Sequence, residues 1–235
     1  MNSDRSSIIR LAKDVKSIMK NPLHNNNIYY SHDEENIYKG YALIIGSEGT
    51  PYDAGFYFFE FNYPINYPFG PPVVIFKTCD RLTRFNPNLY INGKVCLSIL
   101  NTWSGEGWTS CQTISSILLT LSSILNSNPL TNEPGIKITH LDNDNYNNLL
   151  TYKNIEFSII KQIQYFDNDD QNCNLAKFKQ FRSILKEKFI ENQERITENL
   201  NKIKHLDKQI VRVSTYNLNQ FIDRDKLIIE LNKLN

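Results

Sequence analysis

Residues 84–100 read RFNPNLYINGKVCLSIL. They sit inside a longer run, 77–110, that shows neither the two-residue period of a strand nor the 3.6-residue period of a helix. The run nevertheless carries Phe85, Tyr90, Val95, Leu97, Ile99, Leu100, Trp103 and Trp108. A stretch of that length without regular structure in a compact domain is usually functional. Near its centre lies Cys96. A cysteine can take a carboxyl group as a thioester and surrender it to an amine, because the thiolate is a strong nucleophile and the thioester an activated acyl group. With a free-thiol pKa of ~8.5, only a few per cent is thiolate at neutral pH unless the site lowers that value. No histidine lies within fifty residues before Cys96 or forty after it, so a local Cys–His dyad of the papain type is not indicated.

Before this run, short aromatic and β-branched segments at 28–30, 37–45, 55–61 and 73–76 are separated by turn signals at 33–35, 46–51 and 62–72. Their close spacing predicts an antiparallel meander. Between the third and fourth, Tyr67-Pro68-Phe69-Gly70-Pro71-Pro72 cannot be strand, since its prolines lack amide donors and fix φ, and it reads as a stiff exposed loop. At the start, Leu11, Ala12, Val15, Ile18 and Met19 form an amphipathic helical stripe that ends at Asn21-Pro22, with Arg10, Lys13, Lys16 and Lys20 off the stripe. That basic face is either a solvated surface or a dock for an acidic partner.

After the run, Thr113 is the expected N-cap of a helix whose Ile114, Ile117, Leu118, Leu121, Ile124 and Leu125 bury one face, ending by Asn128-Pro129. A second helix is expected over about 143–165, and residues 167–174 read as a linker. Leu175, Phe178, Phe181, Leu185, Phe189, Ile196, Leu200 and Ile203 then recur at three- and four-residue steps. They predict one long helix that either pairs with a partner or folds back. A short extended piece and a helix are expected over 210–234.

Apolar residues are 40% and charged residues 22% of the 235, so a core can form and wholesale disorder is excluded. A formal charge of +1 supplies no global field toward nucleic acid or an anionic membrane, and neither partner is expected. There is no apolar run of membrane-spanning length and no signal-peptide pattern at the N-terminus, which predicts an intracellular, cytoplasmic or nuclear protein. The cysteines Cys79, Cys96, Cys111 and Cys173 form no CxxC pair, and no metal is expected. The abundance of asparagine reads as codon bias of an AT-rich genome, that of a protist or a large DNA virus.

The helix, the meander, the proline loop, the 84–100 string and the apolar helix behind a tryptophan together resemble the ubiquitin-conjugating (E2) family. Its signature is His-Pro-Asn, a cysteine eight residues after that asparagine, Leu-x-Ile-Leu and a tryptophan. Here Asn86-Pro87-Asn88, Cys96, Leu97, Ile99, Leu100 and Trp108 take those places. Within the family, the NPN motif, the GKVCLS run, the TWSGEGW insertion at 102–108 and NPLTNEPG at 128–135 resemble the E2 Z type, which also has a C-terminal extension.

The resemblance implies an α+β fold, a four-stranded antiparallel sheet flanked by helices, with a catalytic domain over 1–166 and a helical extension over 167–235. It implies that Cys96 accepts ubiquitin or a ubiquitin-like protein from a ubiquitin-activating enzyme and passes it to a lysine or a ligase, with Asn88 stabilising the oxyanion. Asn86 would brace the loop, and Ser98, Thr131, Asn132 and Glu133 would line the approach of the acceptor lysine. Phe69, Pro68, Trp108, Lys13 and Lys16 would meet partners, ubiquitin ligases among them. No cofactor is implied, since ATP is used by the activating enzyme. The rival readings are a non-catalytic ubiquitin-binding module and an assembly protein built on its long C-terminal helix.

Overall fold

The third aromatic run, FYFFEFN, is apolar at nearly every position instead of alternating, the pattern of a strand buried on both faces. In the computed structural model, which describes residues 2–168 and 175–234, it is β3 (Phe56–Asn62), an inner strand of an antiparallel sheet. The order is β1 (Ile28–His32), β2 (Lys39–Ile45), β3 and β4 (Val73–Phe76), in sequence order. Register pairs Leu43 with Phe58 and Phe61 with Val74.

On one face of β3, Tyr57 packs edge-on against Tyr52, at 5.5 Å, and Phe59 lies 5.4 Å from Phe76. Helix α2 (Ile114–Ile124) buries Ile114, Ile117, Leu118, Leu121 and Ile124, as its period predicts. Its start is a capping box, in which the Thr113 hydroxyl accepts from the Ser116 amide while the Ser116 hydroxyl accepts from the Thr113 amide. Helix α1 (Asn2–Lys20) packs against α2 through Leu11 and Ile18, whereas Ala12 and Met19 of the expected stripe are exposed.

The helix expected near 143–165 is one continuous rod in three parts. It comprises α3 (Asn143–Lys153), a π-helical segment (Asn154–Lys161) and α4 (Gln162–Asp167). The π segment begins at Asn154, whose buried amide donates to Asp53 O at 2.8 Å and accepts from the Tyr57 hydroxyl at 2.6 Å.

The other face of β3 is covered by the C-terminal residues. Phe58 meets Phe166, Phe178 and Phe181 at ring distances of 5.5, 5.0 and 6.4 Å, and Tyr41 meets Phe178 at 5.2 Å. The apolar stripe from Leu175 to Ile203 is therefore buried against the chain's own sheet and helices. Of the two readings of that stripe, folding back is the one observed.

The expected single long helix is a 3-10 turn (Ala176–Phe181) followed by α5 (Arg182–Glu191) and α6 (Gln193–Lys202), broken at Asn192. The Asn192 side chain donates to Lys188 O at 2.6 Å, a carbonyl that also accepts from Asn192 N at 3.2 Å. The expected extended piece is a hairpin of β5 (Ile210–Val213) and β6 (Leu218–Phe221), followed by α7 (Arg224–Asn232). Strand β5 lies along α3, and α7 lies along the π segment. Most of the expected linker, with Cys173, lies outside the described residues.

Candidate active site

The 84–100 string folds into a tight antiparallel loop. Tyr90 N donates to Lys94 O at 2.9 Å, Leu89 bridges Val95, and Cys96 N donates to Asn88 O at 2.9 Å. Tyr90 thus faces Lys94, Leu89 faces Val95 and Asn88 faces Cys96, so the eight-residue spacing is the register of this loop. The turn needs Gly93: its φ is +88°, and an added Cβ would sit 2.7 Å from Phe76 O. Opposite Cys96, the Asn88 side-chain amide donates to Cys96 O at 2.7 Å, while its Oδ1 is buried without a protein partner.

Asn86 anchors the loop from below. Its amide donates to the Tyr52 hydroxyl at 2.8 Å and to Ile124 O at the end of α2 at 2.7 Å, and its Oδ1 accepts from Asn88 N at 3.0 Å. Asn132 adds donations to Asn86 Oδ1 at 3.3 Å and to Ile124 O at 3.0 Å. From outside, Arg84 donates Nε to Asn86 O at 3.2 Å and Nη2 to Pro87 O at 2.6 Å, and its guanidinium lies 3.3 Å from the Tyr90 ring centre.

The wall beyond Cys96 is the TWSGEGW segment. Gly105, at φ +125°, passes so close to Ser98 that an added Cβ would lie 3.2 Å from the serine's Cβ. Cys96 itself is 2% exposed. Trp108 donates its indole N–H to Pro68 O at 2.7 Å and stands 5.9 Å from the Tyr67 ring. Tyr67 in turn donates to the buried Asp14 carboxylate of α1 at 2.6 Å, and burial with that carboxylate beside it pushes the Tyr67 phenol far up. α1, the proline loop and the tryptophan loop are thereby knitted around the site.

A disordered or arbitrary loop would not oppose an amide to a buried cysteine in this way, and the corresponding family match covers the same elements. Residues 10–154 match the ubiquitin-conjugating enzyme family. The chain belongs to that family. It is 39% identical over 160 residues to human ubiquitin-conjugating enzyme E2 Z, covering 67% of this chain and 45% of that protein. The Xenopus tropicalis E2 Z is 38% identical over 160 residues, at 67% and 50% coverage. A probable ubiquitin-conjugating enzyme of Acanthamoeba polyphaga mimivirus, E2 R521, is 35% identical over 167 residues, 67% of this chain and 12% of that protein. The chain thus spans half or less of the length of these relatives. The α+β architecture, with its four-stranded antiparallel sheet, is the ubiquitin-conjugating fold with C-terminal helices added.

Around this family core the sequence-predicted residues fall as follows. Cys96, Asn88, Asn86 and Asn132 come together in one bonded network. Ser98 is half-buried two residues beyond the cysteine. Thr131 turns its hydroxyl onto Asn128 O at 2.7 Å, and Glu133 accepts from the Tyr216 hydroxyl at 2.6 Å. Phe69 is 75% exposed at the tip of the proline loop, with Ile65 and Val73 also exposed beside it.

Three of the groups expected to face partners also hold contacts within the chain. Pro68 is buried, its carbonyl taken by Trp108. Trp108 is half-buried, its indole holding the proline loop. Arg10 does not belong to the free basic face, because its guanidinium pairs with Asp14 and donates to Ser110 O at 2.8 Å and Gln112 O at 3.0 Å. Lys13 and Lys16 are exposed.

Arg84 and Tyr216 were not anticipated. Arg84 stands two residues before the motif and reads as an ordinary surface cation, and Tyr216 lies in the extension, where no local pattern points to the site. Among the described residues no cluster of His, Cys, Asp and Glu could hold a metal, and no helix is long and apolar enough to cross a membrane.

Proposed function

We propose that this chain is an acyl carrier of the ubiquitin-conjugating type, receiving ubiquitin or a ubiquitin-like protein from an activating enzyme as a thioester on Cys96. The observation that carries this reading is the reciprocal pair across the catalytic loop, Cys96 N to Asn88 O and Asn88 Nδ2 to Cys96 O. It holds an amide donor beside the one buried cysteine of the loop.

In the first step the Cys96 thiolate attacks the carbonyl carbon of the activated modifier, and the activating enzyme's own thiolate leaves. In the second, a neutral lysine amine attacks the thioester, a tetrahedral oxyanion forms, the amine nitrogen gives up one proton to solvent, and the Cys96 thiolate departs as the amide bond closes. Asn88 Nδ2 bears two hydrogens, one of which is engaged at Cys96 O, so the other remains to meet the oxyanion. A donor in that place contributes about 3–4 kcal/mol to lowering the barrier. Neither step calls for a metal or nucleotide on this chain; ATP serves the activating enzyme.

The exposed Phe69 with its apolar neighbours fits a ligase groove, and Lys13 and Lys16 fit an acidic surface of the activating enzyme. The presence of Cys96 opposite Asn88 weighs against a purely non-catalytic binding module, and the burial of the C-terminal stripe weighs against an assembly protein.

Incubation with ubiquitin, an activating enzyme and ATP, followed by electrophoresis with and without reductant, tests the reading. A reductant-sensitive adduct is expected. Its absence across ubiquitin and a panel of related modifiers, each with its own activating enzyme, would contradict it.

A further inference from the structure

The C-terminal hairpin reaches the catalytic turn at one side chain. Tyr216, in the loop between β5 and β6, stands with its ring centre 5.5 Å from the Arg84 guanidinium, which also lies 3.3 Å from the Tyr90 ring centre. Arg84 thus meets two tyrosines, one from the 84–100 loop and one from the extension. It donates to the carbonyls of Asn86 and Pro87, the two residues immediately before Asn88.

The Tyr216 hydroxyl donates to Glu133 Oε2 at 2.6 Å, next to Asn132, which braces Asn86 from the other side. Burial and the Glu133 carboxylate push the Tyr216 phenol far up, so it remains a donor at any physiological pH. One side chain therefore touches both supports of the Asn86-Pro87-Asn88 turn.

Its own position is set by the helix beneath. Thr215 N and Oγ1 both donate to Asp142 Oδ2 at 2.7 Å, and Asn145 donates to Arg212 O at 3.1 Å. The Tyr216 ring rests 5.6 Å from Tyr146, which donates to Arg84 O at 2.6 Å.

We infer that Tyr216 is a positioning residue that clamps the Asn86-Pro87-Asn88 turn through Arg84 and Glu133, making the C-terminal extension part of the catalytic apparatus. The inference rests on the reading of Cys96 as the thioester carrier. The clamp acts on Asn88 and hence on attack by the amine. It leaves untouched the surfaces that receive the modifier. Since misplacement by about 1 Å can cost 10²-fold in rate, a partly relaxed turn corresponds to about tenfold.

The test uses the full chain loaded with ubiquitin and chased with free lysine, as wild type, Tyr216→Leu and Tyr216→Phe. Tyr216→Leu is expected to discharge about tenfold more slowly at saturating lysine, with the half-saturating lysine concentration and the charging rate within twofold of wild type. Tyr216→Phe keeps the ring on Arg84 and is expected within about threefold of wild type. In the uncharged protein, nitrogen-15 spectra should show the Asn88 side-chain amide and the Cys96 backbone amide shifted by Tyr216→Leu.

Wild-type discharge by Tyr216→Leu, unmoved resonances, or parallel loss of charging and discharge in both variants would each overturn the clamp. If the wild type accepts neither ubiquitin nor any of the related modifiers, the thioester reading falls on its own, and the Asn88 and Cys96 resonances still decide the clamp.

Discussion

Asn88 spends one amide hydrogen on the Cys96 carbonyl and keeps an unpartnered Oδ1 in a buried place, an arrangement that costs stability unless the side chain has further work. Replacing it by alanine is expected to leave charging of Cys96 largely intact while slowing discharge to free lysine by about 10²–10³. Single-turnover kinetics separate the two, and an equal fall in both would mean that Asn88 only braces the loop. The pairing of Asn88 with Cys96 was legible through the eight-residue spacing of the family signature; the structure supplies its physical basis, a register set by a turn at Gly93. Asn86 was legible through the same resemblance, as the place of a loop-bracing residue, and its amide donates to Ile124 O and accepts from Asn88 N. Arg10 was not legible, since a helical wheel records which face a residue occupies and says nothing of the Ser110 and Gln112 carbonyls that arrive there.

The strands, α1 and α2 carry their own evidence in period, capping and proline stops, so their positions followed from local sequence. The π segment and the break at Asn192 did not. Each is set by an asparagine amide, Asn154 reaching Asp53 O and Asn192 reaching Lys188 O, in stretches whose apolar period continues undisturbed. The exposed lysines of α1 give the element a test. Lys13→Glu with Lys16→Glu is expected to slow charging several-fold, and added salt should slow the wild type while affecting the variant less, since screening at ~0.15 M acts over about 8 Å. Initial charging rates against ionic strength check this. Identical rates for both proteins at every ionic strength would return these lysines to a solvated surface.

Across the described residues, the extension is bound to the front of the chain at several places besides the seat of α7 on the π segment. They are the aromatic cluster on Phe58, the buried Asp53 with its Arg195 partner, and the hairpin seated on α3 with Tyr216 at the catalytic turn. The hint in the sequence was the nearly continuous apolar run of β3, which demands cover on both faces, but which segment supplies it depends on contacts far apart in the chain. Phe178→Ala removes the ring that meets both Tyr41 and Phe58, and it is expected to cost about 3–5 kcal/mol in urea unfolding. A loss under 1 kcal/mol would show that the sheet does not depend on this cover. The central claim, that Cys96 carries the modifier, is tested most directly by locating the bond. The wild type, Cys96→Ser and Cys96→Ala are incubated with ubiquitin, activating enzyme and ATP, and the adducts are mapped by mass spectrometry. The expected results are a reducible adduct at Cys96, a reductant-resistant oxyester in Cys96→Ser and none in Cys96→Ala; loading that persists in Cys96→Ala, or maps to the exposed Cys111, would contradict the account.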